Sequence, residues 1–479
     1  MTVTPTARPG LLIGVLAFAG IAASITQTMI TPLIALLPGI FDTSSANTAW
    51  IVTATLLAAA VAVPIAGRLG DLFGKKRMIL ISTLPLILGA VVCALAPTVE
   101  IMIAGRALQG LGMGMVPLAI ALLRDGVPRE RLSSAIATVS ATLGIGGAVG
   151  LPVAAAVIEF ADWRALFWGS AVVTALTALA ILRVAPNSPA GARGQRFDGL
   201  GAAGLAVGLV SLLLAVSKGS EWGWASPLTL GLLALAVVAL LLWGVWELRT
   251  KDPLVDLRTT ARPRVLLTNI ASIFVGFGMY ASMLVLPQVL QLPSSTGYGL
   301  GQSILQAGLW MAPAGIMMLL LSPVGGRLTD ARGPKFTLVL GATIIAAGYG
   351  VALLGMGSTW GILATGLVIN SGVAFAYGAM PALIMGAVPQ SETAAANGFN
   401  ALMRSLGTTI GAAVIGVVLS QMTTPLGAVA VPSESGFRIA LILGAGIAVI
   451  AAVLAAVIPA SKPVERAVAI EAEPERVSA

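Results

Sequence analysis

Residues Gly67–Arg77 read G-R-L-G-D-L-F-G-K-K-R, and residues Gly325–Lys335 read G-G-R-L-T-D-A-R-G-P-K. At a constant offset of 259 the two segments share their Gly, Arg, Leu, Asp and Gly positions. Gly67 falls on Gly326, Arg68 on Arg327, Asp71 on Asp330 and Gly74 on Gly333. A second register, with an offset of 261, joins Gly105 and Gln109 to Gly366 and Asn370, and Val127-Pro128 to Val388-Pro389. A chain that repeats itself over half its length is built from two like units.

Composition says what kind of units these are. Of 479 residues, 57% are hydrophobic and 10% charged, against about a quarter charged in soluble domains. Mean hydropathy is +0.98. Only lipid-facing helices leave that much apolar surface uncovered, and the 56 glycines suit close helix packing in a membrane. There is no His, and the single cysteine, Cys93, lies in an apolar run and is expected to be a packing residue. An intramolecular disulfide, a Cys/His metal site and histidine catalysis are thereby excluded. No metal or cofactor is expected.

A span needs about 20 apolar residues. Such runs occur at Leu11–Pro38, Asn47–Gly67, Met78–Ala96, Ile101–Leu123, Leu132–Ile158 and Ala165–Ile181. A pair follows at Gly199–Val216 and Leu228–Trp246. Six more lie at Val265–Leu290, Leu300–Pro323, Phe336–Met356, Gly361–Met385, Ala394–Met422 and Phe437–Ile458. The first run is too long for a signal-peptide core and is read as a retained span. The expected fold is all-α and membrane-embedded, with fourteen transmembrane helices. Its parts are an N-terminal six-helix half over 1–185, a linker with an inserted, peripheral two-helix hairpin over 186–262, a C-terminal six-helix half over 263–460 and a polar tail over 461–479.

With the N-terminus cytoplasmic, inner segments receive 22 of the 27 Lys and Arg. Outer loops keep only Arg164, Lys218 and Arg438, and Arg106 and Arg404 fall inside spans. This is the positive-inside asymmetry of a bacterial-type plasma (inner) membrane protein with both termini cytoplasmic. It accounts for the net charge of +8 without nucleic acid. The partners implied are a small-molecule substrate, membrane lipids and protons, and a monomer is expected.

Here the resemblance becomes specific. The Gly67–Arg77 segment looks like the signature loop of the major facilitator superfamily. Ala104–Gly112, A-G-R-A-L-Q-G-L-G, resembles that family's fourth-helix arginine motif. Gly144–Pro152, G-I-G-G-A-V-G-L-P, resembles its fifth-helix antiporter motif, with Asp162-Trp163-Arg164 and Phe167 fitting the turn beyond. Pro253–Arg258, P-L-V-D-L-R, resembles the lead into the ninth helix of the fourteen-helix drug:proton antiporters. The resemblance implies two parallel halves rocking about a midplane site, and efflux of small amphipathic molecules driven by protons. Lipid or glycolipid export, or uncoupled facilitation of neutral or anionic substrates, are the alternatives.

Site residues follow. A conformational latch is expected from Gly67, Arg68, Asp71, Gly74 and Arg77, with Gly326, Arg327, Asp330 and Gly333. Each Asp would meet the N-terminal dipole of a facing helix, and Arg68, Lys75, Lys76 and Arg77 would pair with acids across the gap. A phosphate-loop reading fails, because Gly70-x-x-x-Gly74-Lys75 is one residue short and is followed by Lys76. Arg106, inside an apolar helix and matched by Leu367 in the repeat, is expected to face a cavity. Arg404 reads equally as a cavity residue or one reaching headgroups. Gly144, Gly146, Gly147 and Gly150 with Pro152 would seal helix contacts against leak, though Leu151 interrupts the motif. Substrate-facing candidates are Gln27, Thr28, Trp50, Arg106 and Gln109. In the second half they are Asn269, Phe277, Tyr280, Gln288, Gln306, Trp310, Asn370, Tyr377, Asn397 and Asn400.

None of the 19 Asp and Glu lies mid-membrane. Thr26 stands where the resemblance implies an Asp before Gln27-Thr28. Coupling candidates are therefore peripheral: Asp42, Glu159 and Asp162 at the outer mouth, with Arg404 inside. A cavity with an arginine and no carboxylate is expected to favour neutral or anionic substrates.

Overall fold

The repeated Gly is the key to the local structure. In the computed structural model, which describes residues 8–459 apart from 31, 32, 35, 188–191, 193, 427 and 428, helix α2 (Ser45–Phe73) and helix α3 (Lys75–Leu95) are separated by Gly74 alone. Its φ of 96° is a backbone state that L side chains rarely adopt. Gly333, φ 86°, makes the same one-residue break between α10 (Ile304–Arg332) and α11 (Pro334–Gly355). The tail from 461 lies outside the described residues, as do the surroundings of Gly147 and Leu151.

The remaining long helices are α1 (Pro9–Thr28), α4 (Val99–Leu111 and Met115–Gly126), α5 (Arg129–Phe160), α6 (Arg164–Val184), α7 (Gly199–Trp222) and α8 (Pro227–Arg249). They continue with α9 (Pro263–Gln291), α12 (Thr359–Met385), α13 (Thr393–Gln421) and α14 (Glu434–Val457). A tight turn at Gly112–Gly114 interrupts α4. Several start where a Ser or Asp side chain takes an otherwise orphaned amide, as at Ser44, Asp198, Ser226 and Ser433, and Ser303 forms a reciprocal capping box with Gln306. A short hairpin of β1 (Thr423–Leu426) and β2 (Val429–Pro432) leads into α14.

Thirteen helices among the described residues are long and apolar enough to cross a membrane. The span expected at Leu132–Ile158 is a 32-residue helix, α5, that does not number among them, so fourteen stands as an expectation. The first span is shorter than the sequence suggested. Its helix ends at Thr28, and a separate one-turn helix stands at Leu37–Ile40.

The halves meet chiefly where α2 packs on α13 and α5 on α10, with α4 against α13 and α12 against α5 beside them. The first two are equivalents under the repeat. At each, the first Gly of the repeated motif lets a backbone approach: Gly67 abuts the main chain of Ala394 and Ala395, and Gly326 that of Ser133 and Ser134. The inserted pair is peripheral in one helix only. The outer helix α8 exposes Leu235, Val238, Leu241 and Leu242, whereas α7 packs on both α2 and α13, over the seam. Leu205, Leu209 and Leu213 of α7 share an apolar cluster with Ala60, Phe399 and Leu402. Cys93 is buried as expected, beside Gly105.

Lys75, the first residue of α3, meets Asp125 near the end of α4 at 2.6 Å, both almost fully buried. Removing one partner of such a pair strands the other charge, at about 3–5 kcal/mol. Asp125→Ala is therefore expected to lower the thermal midpoint of detergent-purified protein markedly, and Lys75→Met with Asp125→Leu to recover most of the loss. Equal melting of all three would show that the pair contributes nothing.

Candidate translocation site and cross-half latch

Asp71 sits at the end of the bundle that carries both motif loops. Its carboxylate accepts the main-chain N–H of Ala394 at 3.1 Å and of Ala395 at 2.8 Å. These are the second and third residues of α13, whose first-turn amides have no partner within the helix. The bond therefore ties the first half to the second through a helix N-terminus. Arg68 is buried, with its guanidinium near enough to act electrostatically on Asp71 and Glu392.

Around this bond the basic residues are arranged differently from the sequence expectation. Lys75 pairs with Asp125 in its own half, because Gly74 starts α3 against the end of α4. Lys76 donates to the carbonyl of Ala185, also in its own half, and Arg77 is exposed. The polar cross-half contacts besides Asp71 come from residues that sequence reading missed. Arg124 donates to Thr393 Oγ1 at 2.7 Å, and Gln390 to Asp125 Oδ1 at 3.3 Å. A signal was present, since Arg124-Asp125 and Gln390–Thr393 flank the repeated Val-Pro pairs at 127–128 and 388–389.

The second copy is not engaged. Arg327 and Asp330 are exposed, and Asp330 makes no ion pair or side-chain hydrogen bond among the described residues. The reason lies in the facing helix. After Pro389 a 3-10 turn, Gln390–Glu392, delays the α-helix until Thr393 and leaves the amides of 394 and 395 free. After Pro128 the α-helix begins at once, so the equivalent amides of Ser133 and Ser134 are beyond its first turn and already paired.

The interior residues separate into distinct groups. Arg106 is 1% exposed, and its Nη1 donates to the Thr26 carbonyl at 2.9 Å and to Gln109 Oε1 at 2.7 Å. It braces α4 against α1 rather than facing a cavity, a correction that follows from Gln109 lying one turn along the same helix face. Thr26, where an acid was sought, bonds Ser170 at 2.9 Å. Asn400 donates to Asn269 and Ser272, buried between α13 and α9, and Asn397 and Asn370 bond carbonyls of their own helices.

Arg404 lies beside an aromatic ring. Its guanidinium lies 4.7 Å from the ring centre of buried Tyr377. Gln27, exposed, borders a narrow cleft with Leu56, Leu213, Ser405 and Thr409 where α7 covers the seam. Phe277 is buried, and Tyr280 and Gln288 are half-buried on α9.

Other candidates are drawn to the far end. Trp50 packs on Trp222 and under Lys218, Gln306 is spent in its capping box, and Trp310 stacks edge-on with Trp360 while donating to Gln302. Asp42, Glu159 and Asp162 are all exposed there, with Asp162 held to Arg164. The fifth-helix motif works as a packing strip. Gly146 and Gly150 accept Ser24 and Thr28 of α1, while Gly144 and Pro152 meet Met318 and Gly308 of α10.

Missed by the sequence reading is a second acidic pair. Asp198 and Glu247, both buried at the open end of the hairpin where α7 starts and α8 ends, converge over Gly201, and Asp198 accepts the Trp246 Nε1–H at 2.9 Å.

Two repeated helical halves with a polar lock across one end and polar groups turned inward define a multi-pass membrane carrier of small molecules. The chain matches the model of the Major Facilitator Superfamily over residues 16–412, with a second, overlapping match over 268–478, and it belongs to that superfamily. It is a transporter and not an enzyme. It is 29% identical over 440 residues to a multidrug resistance protein B homolog of Mycobacterium tuberculosis, covering 88% of this chain and 79% of that one. It is 28% identical to the tetracenomycin C resistance and export protein of Streptomyces glaucescens, covering 79% and 70%. The crystal structure of the human organic anion transporter MFSD10 superposes with a TM-score of 0.67 at 14% identity, over 94% of this chain and all of that one. The nucleoside transporter NupG gives 0.55 at 15%, over 94% and 99%.

A Cβ at Gly67 would lie 2.5 Å from the Ala394 carbonyl oxygen, so a side chain there forces the halves apart at this end. Gly67→Val is expected to raise maleimide labelling of a cysteine placed at Ala395 at least several-fold over the same cysteine in the wild-type background. Unchanged labelling would show that the close approach does not hold this end shut.

Proposed function

We propose that this chain exports small amphipathic molecules, drug-like compounds or metabolites, across a bacterial plasma membrane by alternating access, driven by protons moving the other way. The observation that carries the reading is the Asp71 bond to the amides of Ala394 and Ala395. It joins the two repeated halves at the face where the basic loops gather, which is what a carrier closed to the cytoplasm requires. The multidrug resistance and antibiotic export roles in the names of its relatives support export as the direction. Both termini are taken as cytoplasmic, from the charge asymmetry.

Asp71, Gly67 and Arg68 are the latch in this reading, with the Arg124–Thr393 contact beside it. Asp330 waits unengaged. The proton path is assigned to the exposed acids of the far end, Asp42, Glu159 and Asp162. Uncoupled facilitation is the second reading, favoured by the absence of any acid from the middle of the spans.

The test uses inverted membrane vesicles and the fluorescent pair 8-anilinonaphthalene-1-sulfonate and N-phenyl-1-naphthylamine, read with and without an imposed pH gradient. Wild type is expected to concentrate at least one probe, and collapse of the gradient to end accumulation. Asp71→Asn is expected to transport at least about tenfold more slowly, the loss of a charge-assisted bond. Movement that only equilibrates, indifferent to the gradient, selects the facilitator, and no carriage of either probe overturns export of amphipaths.

A further inference from the structure

A charged guanidinium inside a membrane bundle is costly unless something answers it. Arg106 is answered, by a carbonyl and an amide oxygen of its own half. Arg404 is not. Among the described residues it makes no hydrogen bond and no ion pair, and its one close partner is the face of Tyr377, 4.7 Å away. It is the twelfth residue of the 29-residue helix α13, well inside the bundle. Gly276 of α9 packs against its main chain and Cγ, so the stem is held and the head is directed.

The elements around it supply no acid. α12, which carries Tyr377, has no charged residue from Thr359 to Met385, and α9 has only Arg264, at its loop end. The acid of α2 is Asp71, committed to the amides of residues 394 and 395. The charged residues of α4 that approach α13 are Arg124 and Asp125, held at the loop end. Those of α7, Lys218 and Glu221, pair with each other at the far end. Arg404 is half-buried, and the ring it meets, Tyr377, is 2% exposed. The guanidinium carbon lies over the ring, and no hydrogen bond takes its N–H donors among the described residues.

We propose that Arg404, oriented by Tyr377, is the substrate's anion-docking point: it takes the carboxylate, sulfonate or acidic phenolic oxygen of an aromatic amphipath, whose missing counter-charge in the protein is supplied by the substrate. The proposal rests on the export reading for its biological sense but not for its measurement. The planar fork suits a two-oxygen anion, and no carboxylate is near to reward a cation.

The test is equilibrium binding to the purified full chain in detergent. 8-Anilinonaphthalene-1-sulfonate is compared with N-phenyl-1-naphthylamine, which is the same skeleton without the sulfonate. Wild type is expected to bind the sulfonate at least about tenfold more tightly than its neutral parent, as a charge-assisted contact implies. Arg404→Ala is expected to erase that preference while leaving the parent within about twofold, and Arg404→Lys to restore part of it. Arg106→Lys, read beside them, is expected to keep the preference. Equal wild-type affinity for the two probes overturns the proposal without any variant, and so does a preference that survives Arg404→Ala. If the purified chain prefers the sulfonate through Arg404 yet vesicles move neither probe, export fails and the docking point stands. If vesicles pump both probes alike and binding shows no preference, the docking point fails and export stands.

Discussion

The structure turns on two main-chain amides. Inside a low-dielectric bundle an unpaired N–H is expensive, and every helix begins with several of them. At the start of α13 the amides of Ala394 and Ala395 find a carboxylate from the other half of the molecule. Much around them serves that contact. Gly67, one turn before Asp71, removes the side chain that would hold α2 away, and Arg68 adds positive charge beneath the acid. Lys75 and Asp125 neutralise one another, so neither competes for the helix end. Two charge-assisted bonds amount to a few kcal/mol, roughly 1.5–3 each. That is strong enough to bias a two-state equilibrium heavily and weak enough for a ligand's differential affinity to reverse it.

A repeated motif does not make a repeated interaction. The Gly-to-backbone approach is symmetric, Gly67 on 394–395 and Gly326 on 133–134. The Asp-to-amide bond is not. What breaks the symmetry is the start of the facing helix, delayed by one 3-10 turn in the second half and immediate in the first. The segment Gln390–Glu392 thus decides which acid has donors to receive. An acid without them stays in solvent, as Asp330 does.

This sets the limit of what the sequence discloses. The spans and the two halves are legible because apolar run length is a local property, whereas the one-residue breaks at Gly74 and Gly333 replace the longer loops that the apolar runs suggest, since charged residues continue a helix past its apolar stretch. Rotation about a helix axis is not local. Arg106 and Arg404 look alike in sequence, each a lone cation in an apolar run. One is enclosed by Gln109 and a carbonyl, and the other stacks on Tyr377. Polar candidates such as Trp50, Gln306 and Trp310 lie on the expected spans, but caps and aromatic pairs near the far end hold them. Conversely Arg124, Gln390 and Thr393 were passed over because they sit at helix ends, where a charged or polar residue is ordinary. Only the facing half gives them partners.

The inserted helix α7 shows how one element can touch both halves without welding them. Its ties to α2 at the far end are directional: Lys218 donates to the Ala46 carbonyl and lies over Trp50, which also meets Trp222. Its contacts with α13 are apolar, Leu209 and Leu213 near Phe399 and Leu402. Directional polar contacts fix a register, whereas apolar contacts between helices in a membrane are worth little more than the lipid contacts that would replace them. Should α2 and α13 separate, as the proposed alternating access requires, the polar set would keep α7 with the first half and the apolar set would yield. The seam it covers is also where Gln27, Ser405 and Thr409 border a cleft. A helix pinned on one side and greased on the other would shield that cleft from lipid through such a movement.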